Sequence, residues 1–509
     1  MDDIGNPLIM QEMDYDKLKL QEEFDRLRKG LNPEQEDIYE IINSVDKEDG
    51  GLFFVYGSGG TGKTYLWNTI ISSLHARLHV QLDANGLIYG SSCVSYQLLS
   101  TFTGIESLLL PGGRTAHSRF KIPLKPNETS SCNVIMQDDL AMLLKKTNLI
   151  IWDEAPMVHR HAFEAVNKTM IDIMSTDGDV TNTPPFGGKT VVLGGDFTKI
   201  LPVVTKGSRE QIVDASISRS PLWEKFKIFE LTRNMRLSNS DANPVEQQKI
   251  REFSKWVLDI GDGKIPATAI NESEEKIWIQ ILDDLLIRCD QDHLHKMVET
   301  MYPGLLANTH DHEYLRNRSI LAPTNKSVKE INDHVLAMIP EEEYELLSAD
   351  SIDPESDNYQ STVVFYPKEF LNEMEVSGLP SHKLYLKVGV SIMLLRNIDQ
   401  AEGLCNGTGT GTRMVVKEVG KNVIHAVAVT GKAAGRTVLI PRIVMTLSET
   451  DHPFILRRRL FPLKVCFAMK VNKSQGQSLP NVGICLDEPV FSHGQLYVAV
   501  DRICHGILD

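Results

Sequence analysis

The most constraining stretch of this chain is Gly57–Thr64, which reads GSGGTGKT. It satisfies every defined position of the phosphate-loop pattern G-x-x-x-x-G-K-[ST]. An apolar run, Leu52–Tyr56, precedes it, and a segment with helical character, Tyr65–Ile71, follows it. The sequence therefore predicts a buried strand, a glycine loop and a helix in that order. Backbone N–H groups of such a loop close around phosphate oxygens, and the start of the helix adds positive potential.

The residues of this loop are candidates for binding a nucleoside triphosphate. We expect Lys63 to contact the outer phosphates and the Thr64 hydroxyl to hold Mg²⁺. The other nucleotide-binding candidates are the preceding loop positions: Gly57, Ser58, Gly59, Gly60, Thr61 and Gly62. The loop also spells G-x-G-x-x-G, with Asp83 about twenty residues further on, which is the fingerprint of a dinucleotide site. We favour a triphosphate, because a dinucleotide loop has no use for a lysine and a metal-binding hydroxyl there.

A second apolar strand, Leu149–Trp152, ends in the acid pair Asp153-Glu154. A phosphate-loop enzyme requires a buried strand that delivers acids at its carboxyl end. We expect Asp153 to hold Mg²⁺ through water and Glu154 to polarise the attacking water.

Ahead of the glycine loop, the sequence predicts a helix start at Asn32-Pro33, with Asn32 as the N-cap. Gln35 follows in the first turn, about twenty residues before the loop. Its side-chain amide offers both the donor and the acceptor that an adenine edge requires. We therefore assign Gln35 to adenine, with an ordinary surface residue as the alternative.

Length and composition set the broad class. At 509 residues, the chain is expected to hold about two to four domains. The seven cysteines include no C-x-x-C pair, which argues against a zinc site and for a reducing compartment. No stretch is apolar enough to span a membrane. The acidic start, Met1–Ile4, is a poor secretory or transit signal, so nuclear residence is expected, with the cytoplasm as the alternative.

The net charge of −15 counts against a nucleic-acid partner, because phosphate binding needs lysine and arginine. A basic groove on an otherwise acidic surface is still compatible with this charge.

Short apolar strands alternate with helical segments between residues 52 and 231, which indicates an α/β domain with a parallel sheet. Residues 87–102 are harder to interpret, because they offer two candidate strands and a loop where one core strand is expected. From about residue 237 the composition changes to long charged helical segments. Residues 383–445 then hold short β-like runs and glycine turns, which are typical of a small β-rich insert. A last strand is expected over Val465–Met469.

Together these motifs resemble the Pif-type (petite integration frequency) DNA helicases, in the 5′-to-3′ branch of helicase superfamily one. The resemblance is closest to plant-type copies, including those carried by Helitron transposons. It covers roughly residues 31–509 and is carried by these stretches: 57–64, 110–123, 150–157, 185–203, 231–237, 320–325, 387–407 and 467–502.

The resemblance implies an α/β fold with two RecA-like parallel-sheet domains of the phosphate-loop NTPase class, with ATP between them. After a lead-in helix over 1–30, the first domain is expected over 31–236, with a small wedge insert at about 108–146. The second domain is expected over 237–509, with a small β-rich (SH3-like) insert at about 383–445.

The resemblance also implies roles for residues beyond the loop and the acid pair. Arg236 and Arg502 resemble arginine fingers from the second domain, and Gln475 resembles a γ-phosphate sensor. Positions similar to those that touch single-stranded DNA are Thr103, His117 and Asn325.

The implied activity is ATP-dependent, 5′-to-3′ translocation on single-stranded DNA, with Mg²⁺ accompanying ATP. The expected partners are single-stranded and tailed duplex DNA, and the chain is expected to act as a monomer away from membranes. The biological pathway is left open among DNA repair, recombination, telomere maintenance and transposon replication.

Four departures from the family pattern bear on activity. Lys199 stands where the family has a glutamine; it can bind phosphate as a point charge but cannot accept a hydrogen bond. Asp501 replaces a small serine beside Arg502, and we expect no direct pairing because neighbours on a helix point about 100° apart. Lys470 replaces a threonine, and residues 87–102 do not match the family's strand and look inserted or replaced.

Three hypotheses follow. The first is an active helicase, favoured by the intact loop, acid pair and arginines. The second is a decayed relative that binds nucleotide or DNA without unwinding, favoured by the departures. The third is a phosphate-loop ATPase that remodels protein partners, favoured by the acidic balance.

Overall fold

The computed structural model describes residues 6–11, 17–45, 50–76, 96–101, 113–175, 183–204, 207–235, 244–269, 277–289, 291–354, 365–376, 378–399, 403–404, 412–431, 433–447, 454–475 and 479–503. They form two compact units. The first comprises Met1–Gly263 and Ser492–Tyr497, and the second Lys264–Phe491 and Val498–Asp509.

Among its described residues, the first unit is built on six strands: β1 Gly51–Gly57, β2 Tyr96–Thr101, β3 Arg114–Thr115, β4 Thr147–Trp152, β5 Thr190–Gly195 and β6 Lys227–Leu231. They form one sheet in the order β3-β2-β4-β5-β1-β6, and every neighbouring pair is parallel. Because parallel strands run in the same direction, their carboxyl ends lie at one edge of the sheet. The loops after β1, β4 and β5 therefore meet at that edge.

The helices of the first unit are α1 Pro7–Gln11, α2 Lys17–Lys29, α3 Pro33–Ser44, α4 Lys63–Ala76, α5 Ala116–Phe120, α6 Asp139–Lys146, α7 Arg160–Met174, α8 Arg209–Asp214 and α9 Pro244–Gly261. These helices cover both faces of the sheet. Successive side chains of β1 point to opposite faces, and each face packs against helices. Val55 packs in one core with Trp67 of α4, whereas Phe54 packs in the other with Phe163 of α7.

The first unit extends past residue 236, where the predicted first domain ends. The end of α9 explains the difference, because Gly261 packs closely against this unit. A Cβ atom on Gly261 would lie 2.8 Å from the Tyr497 ring and 3.1 Å from Thr198.

The core strand that the sequence leaves ambiguous is β2. It pairs with β4 through Leu98 with Ile150 and Leu99 with Ile151. Residues 96–101 of the stretch 87–102 therefore supply the core strand that is expected there, with a register irregularity between Tyr96 and Gln97. The rest of that stretch lies outside the described residues, as does the start of the predicted wedge insert, 108–112.

The second unit contains a small parallel sheet of β9 Arg318–Ala322, β20 Ala468–Lys470 and β21 Asn481–Ile484, in the order β20-β9-β21. A second parallel sheet confirms the predicted α/β class. The single strand predicted over Val465–Met469 is wrong, because the chain turns between Val465 and Ala468. The Asn332 side chain holds this turn, since its Oδ1 accepts the N–H groups of Phe467 and Ala468 at 2.8 and 2.9 Å.

The other strands of the second unit are β7 Ala267–Ala269, β8 Ile277–Ile279, β10 Tyr344–Leu347, β11 Ala349–Ile352, β12 Lys383–Leu386, β13 Ser391–Leu394, β14 Arg413–Val419, β15 Val423–Ala428, β16 Thr437–Pro441, β17 Ile443–Leu447, β18 Leu456–Leu460 and β19 Leu463–Val465. Five form an antiparallel sheet in the order β16-β15-β14-β13-β19. Beside it are a three-stranded sheet, β11-β18-β17, and the pair β10-β12. This β-rich region runs from residue 344 to 465, wider than the predicted 383–445.

The helices of the second unit are α10 His293–Met301, α11 Leu305–Asn308, α12 His312–Arg316, α13 Asn325–Met338 and α14 Lys368–Glu373. The last helix, α15 Gln495–Ile503, begins in the first unit and ends in the second. Within the described parts of the chain, no helix is both long and apolar enough to cross a membrane.

Candidate active site

The loop between β1 and α4 has the backbone geometry of a phosphate-binding turn. Gly60 and Gly62 have φ angles of 87° and 82°, in the left-handed region that glycine adopts without strain. A Cβ atom on Gly62 would also lie 2.5 Å from the Gln35 amide nitrogen. Position 62 therefore requires glycine for two reasons, the positive φ of the turn and the closeness of the Gln35 side chain.

Lys63 is the first residue of α4, and its side chain folds back over the loop. Its ammonium donates to the carbonyl oxygens of Gly57 and of Ser58, the latter at 3.3 Å. Thr64, the next residue, is exposed in the first turn of the helix. The two residues predicted to contact phosphate and Mg²⁺ thus lie together at a helix N-terminus, where backbone N–H groups and the helix dipole favour anions.

Gln35 is joined to this loop from the start of α3. The predicted N-cap is confirmed: Asn32 Oδ1 accepts the Gln35 N–H at 2.9 Å, and Gln35 Oε1 accepts the Asn32 N–H at 3.1 Å. The Gln35 Nε2 donates to the carbonyl oxygens of Thr61 and Gly62 at 3.3 and 3.2 Å. This fully buried side chain ties the helix start to the loop, and its contact with adenine stays a prediction.

The acid pair lies where β4 ends. Glu154 has φ 53° and ψ 36°, a left-handed conformation that is uncommon for a non-glycine residue and that concentrates at functional sites. Its N–H donates to Asp153 Oδ1 at 3.0 Å. Gly194, near the end of β5, leaves room for this carboxylate, because a Cβ atom there would lie 2.9 Å from Asp153 Oδ1.

Charges of both signs surround the acid pair. Burial raises the pKa of Asp153, the neighbouring Glu154 carboxylate raises it further, and the Lys63 ammonium opposes both. Burial also lowers the pKa of Lys63, and the second cause of that shift is the ammonium of Lys199. The four side chains therefore lie close enough to interact electrostatically.

Lys199 forms a contact that the sequence did not reveal. Its Nζ donates to Glu154 Oε1 at 2.5 Å, and the two residues are 8% and 7% exposed. Phosphate was the only partner that we expected for this lysine. Its position shortly after β5, opposite two acids at the end of β4, is the signal that could have indicated the ion pair.

In the second unit, the expectation that Asp501 and Arg502 do not pair is wrong. Arg502 Nη2 donates to Asp501 Oδ2 at 2.5 Å. The angle of about 100° separates the Cβ directions, whereas the long arginine side chain can fold back to its neighbour. Both residues are buried, and a buried charge requires a counter-charge.

Gln475 is fully buried, and its amide nitrogen and oxygen form no hydrogen bond within the described parts of the chain. A buried polar group without a partner costs free energy, so it marks a position with a requirement other than packing. Its role as a γ-phosphate sensor stays a prediction.

The predicted DNA contacts are spread over both units. His117 is half-buried in α5 of the first unit, and burial lowers its pKa. Asn325 is exposed as the first residue of α13 in the second unit. Lys470, the departure in β20, places its ammonium 4.7 Å from the centre of the Phe491 ring.

Two predicted site residues, Thr103 and Arg236, lie outside the described residues. The residue before Arg236 is described: the Met235 N–H donates to the Gly60 carbonyl at 2.9 Å. Met235 belongs to the first unit, and the role of Arg236 as an arginine finger stays a prediction.

The residues present suit a magnesium ion that arrives with a nucleotide. Thr64 and Asp153 offer a hydroxyl and a carboxylate, which are the oxygen donors that Mg²⁺ prefers. Within the described ranges, no group of three or more histidine, cysteine, aspartate or glutamate residues is arranged to hold a metal ion.

Lys473, just after β20, is expected to make stability depend on pH. Burial, as the largest cause, and the nearby Lys464 ammonium lower the pKa of Lys473 from the ordinary 10.5 to about 8. Between these two values the unfolded chain binds more protons than the folded one, so the free energy of unfolding should rise with pH over that range. Chemical denaturation of the wild type and of Lys473→Met across this range measures the effect. An equal pH dependence in both proteins would contradict it.

Two family models match the sequence. The model described as PIF1-like helicase matches residues 30–271, and the model described as DNA helicase Pif1, 2B domain, matches residues 369–418. Together they span more than half of the chain.

Similar curated proteins include one from an animal and one from a bacterium. ATP-dependent DNA helicase PIF1 of Xenopus laevis is 25% identical over 473 residues, which cover 91% of this chain and 58% of that protein. ATP-dependent DNA helicase Pif1 of Bdellovibrio bacteriovorus is 22% identical over 477 residues, which cover 93% of this chain and 85% of that protein. The chain thus spans less than two thirds of the length of the Xenopus protein.

Solved structures of Pif1 helicases share the fold. Bacteroides Pif1 bound to single-stranded DNA superposes with a TM-score of 0.60 at 22% identity, covering 93% of this chain and 89% of that one. Pif1 helicase from Candida albicans superposes with a TM-score of 0.57 at 21% identity, covering 94% and 93%. The likeness extends over nearly the whole chain, including both units described above.

Proposed function

The chain belongs to the PIF1-like helicase family, and we propose that it is an ATP-dependent DNA helicase that moves 5′ to 3′ along single-stranded DNA. One observation carries the proposal. Lys63, Asp153 and Glu154, which a phosphate-loop ATPase requires, lie together at the ends of β1 and β4.

In the proposed mechanism, the first unit binds and hydrolyses ATP. The loop N–H groups and Lys63 bind the phosphates, and Gln35 contacts the adenine. Thr64 and Asp153 would hold Mg²⁺, which neutralises charge on the phosphate oxygens. Glu154 accepts a proton from the attacking water.

The remaining predicted residues would couple hydrolysis to movement. We propose that Arg502 and Arg236 stabilise the charge on the transferring phosphoryl group, an effect worth about 10³–10⁵ in rate. Gln475 would respond to the γ-phosphate. The proposed contacts with single-stranded DNA are made by Thr103, His117 and Asn325.

Strand displacement tests the proposal. With Mg²⁺ and ATP, the protein should unwind a duplex that carries a 5′ single-stranded tail and leave 3′-tailed and blunt duplexes intact. ATP hydrolysis should increase when single-stranded DNA is added, and the increase should fall steeply with salt, because DNA binding releases counterions. The Lys63→Ala protein serves as the inactive control.

A second candidate function is favoured by the Asp501–Arg502 ion pair, because it engages an arginine that the helicase mechanism needs. In that case the protein binds nucleotide or DNA without unwinding. Retained nucleotide and DNA binding with no displacement of any tailed duplex would identify this function. Hydrolysis that does not respond to DNA at any salt concentration would contradict the helicase proposal.

We place this activity in the nucleus, with the cytoplasm as the alternative, and fractionation of a tagged chain distinguishes them.

We also propose a monomer. One related structure is described as DNA unwinding at forked double-stranded DNA by two coordinating Pif1 helicases. Sedimentation of this protein with and without forked DNA therefore measures its stoichiometry.

A further inference from the structure

We propose that Lys199 is a positioning residue for ATP hydrolysis, holding the Glu154 carboxylate where it acts on water. The inference rests on the proposed ATPase activity. The Nζ of Lys199 lies 2.5 Å from Glu154 Oε1, and little of either residue is exposed to solvent. An ion pair this short and this covered restricts the rotamers of the glutamate.

Glu154 needs such a partner for two reasons. Its side chain is buried beside a second carboxylate, Asp153, and two adjacent acids repel each other. Lys63 supplies positive charge beside these acids, but its ammonium also interacts with the buried Asp196 carboxylate. Lys199 adds a second positive charge, directly on Glu154.

The backbone position of Lys199 is itself fixed by the turn that follows β5. The Lys199 N–H donates to the Asp196 carbonyl at 3.2 Å. The Asp196 carboxylate accepts the Thr198 N–H at 2.9 Å and the Thr198 hydroxyl at 2.6 Å. The Tyr497 hydroxyl donates to the other carboxylate oxygen of Asp196 at 3.3 Å. These hydrogen bonds fix the turn so that the Lys199 side chain reaches the acid pair.

The segment Ser492–Tyr497 packs against this turn. A Cβ atom on Gly494 would lie 2.3 Å from the Lys199 carbonyl oxygen, and the φ of this glycine is 70°. Next to it, His493 Nε2 lies 3.0 Å from the Phe197 carbonyl oxygen. This segment leads into α15. The turn that carries Lys199 is therefore held by residues nearly 300 positions further along the chain.

This arrangement predicts a particular kinetic signature. Loss of the Lys199 ammonium leaves Glu154 buried without this counter-charge, so the carboxylate takes other rotamers. A misplaced catalytic group can cost on the order of 10²-fold in rate. Because the lysine acts through Glu154, the loss falls on kcat, with KM for ATP little changed.

A double-mutant cycle tests the inference. We expect Lys199→Met to lower kcat by about 10–10²-fold and Lys199→Arg to restore most of it, because a guanidinium can also donate to the carboxylate. In a Glu154→Gln background, adding Lys199→Met should change kcat no further. The control is Lys189→Met, which removes a partly buried lysine of the same unit that donates to the Lys145 carbonyl at 2.6 Å.

Thermal unfolding verifies that each variant is folded, and Lys199→Gln replaces Lys199→Met if the latter does not fold. Independent, additive losses in the cycle would overturn the inference while leaving the helicase proposal intact. A raised KM with unchanged kcat would also overturn it, because it would assign Lys199 to phosphate binding. A wild-type protein that hydrolyses no ATP would overturn both proposals.

Discussion

Replacing Lys63 by alanine is expected to lower ATP turnover by about 10²–10³-fold and to abolish unwinding, because a positioned donor to the transferring phosphoryl group is lost. The structure places the Lys63 ammonium on the loop carbonyls of Gly57 and Ser58, at the N-terminus of α4. Steady-state hydrolysis at saturating single-stranded DNA measures the first effect, and displacement of a 5′-tailed duplex measures the second.

A matched control for this variant is Lys225→Ala, which removes an exposed lysine of the same unit. It should hydrolyse ATP at the wild-type rate. Near-wild-type turnover in Lys63→Ala would contradict the assignment of this lysine to the phosphates.

Replacing Glu154 by glutamine is expected to lower kcat by about 10²–10⁴-fold while ATP still binds, because the amide cannot accept the proton of the attacking water. The substitution keeps the size of the side chain and keeps an oxygen that can accept a hydrogen bond from the Lys199 ammonium. The loss should therefore appear in the chemical step. Single-turnover hydrolysis measures that step, and fluorescence of a labelled ATP analogue measures binding.

Glu164→Gln is the matched control, since it alters a carboxylate of the same unit that accepts the Ser220 hydroxyl at 2.8 Å. It should leave single-turnover hydrolysis unchanged. If Glu154→Gln weakened nucleotide binding and left the hydrolysis of bound ATP intact, Glu154 would not be the group that activates water.

The locally encoded parts of the site were predictable. The loop Gly57–Thr64, the cap at Asn32 and the acids after β4 each depend on residues within a few positions of one another. Glycine permits the turn, a side-chain oxygen satisfies the first helical N–H groups, and an apolar run buries the strand. These requirements can be recognised in a short window of sequence.

Contacts between side chains were harder to predict, even at short range. Asp501 and Arg502 are neighbours, yet their pairing was missed, because Cβ directions do not limit the reach of an arginine. The break between β19 and β20 was missed for another reason. It depends on Asn332, which lies more than 130 positions away and binds the backbone at the turn.

By itself, the sequence determined that this protein has a phosphate loop, an acid pair and an α/β fold of parallel sheets, because short-range patterns specify them. Only the tertiary structure decided that Lys199 is paired with Glu154, 45 positions earlier, and that residues 492–497 brace the turn that carries this lysine. The physical reason is that a buried charge takes its partner from whatever the packed fold brings within reach. The order of strands β4 and β5, side by side in the sheet, brings these two residues together.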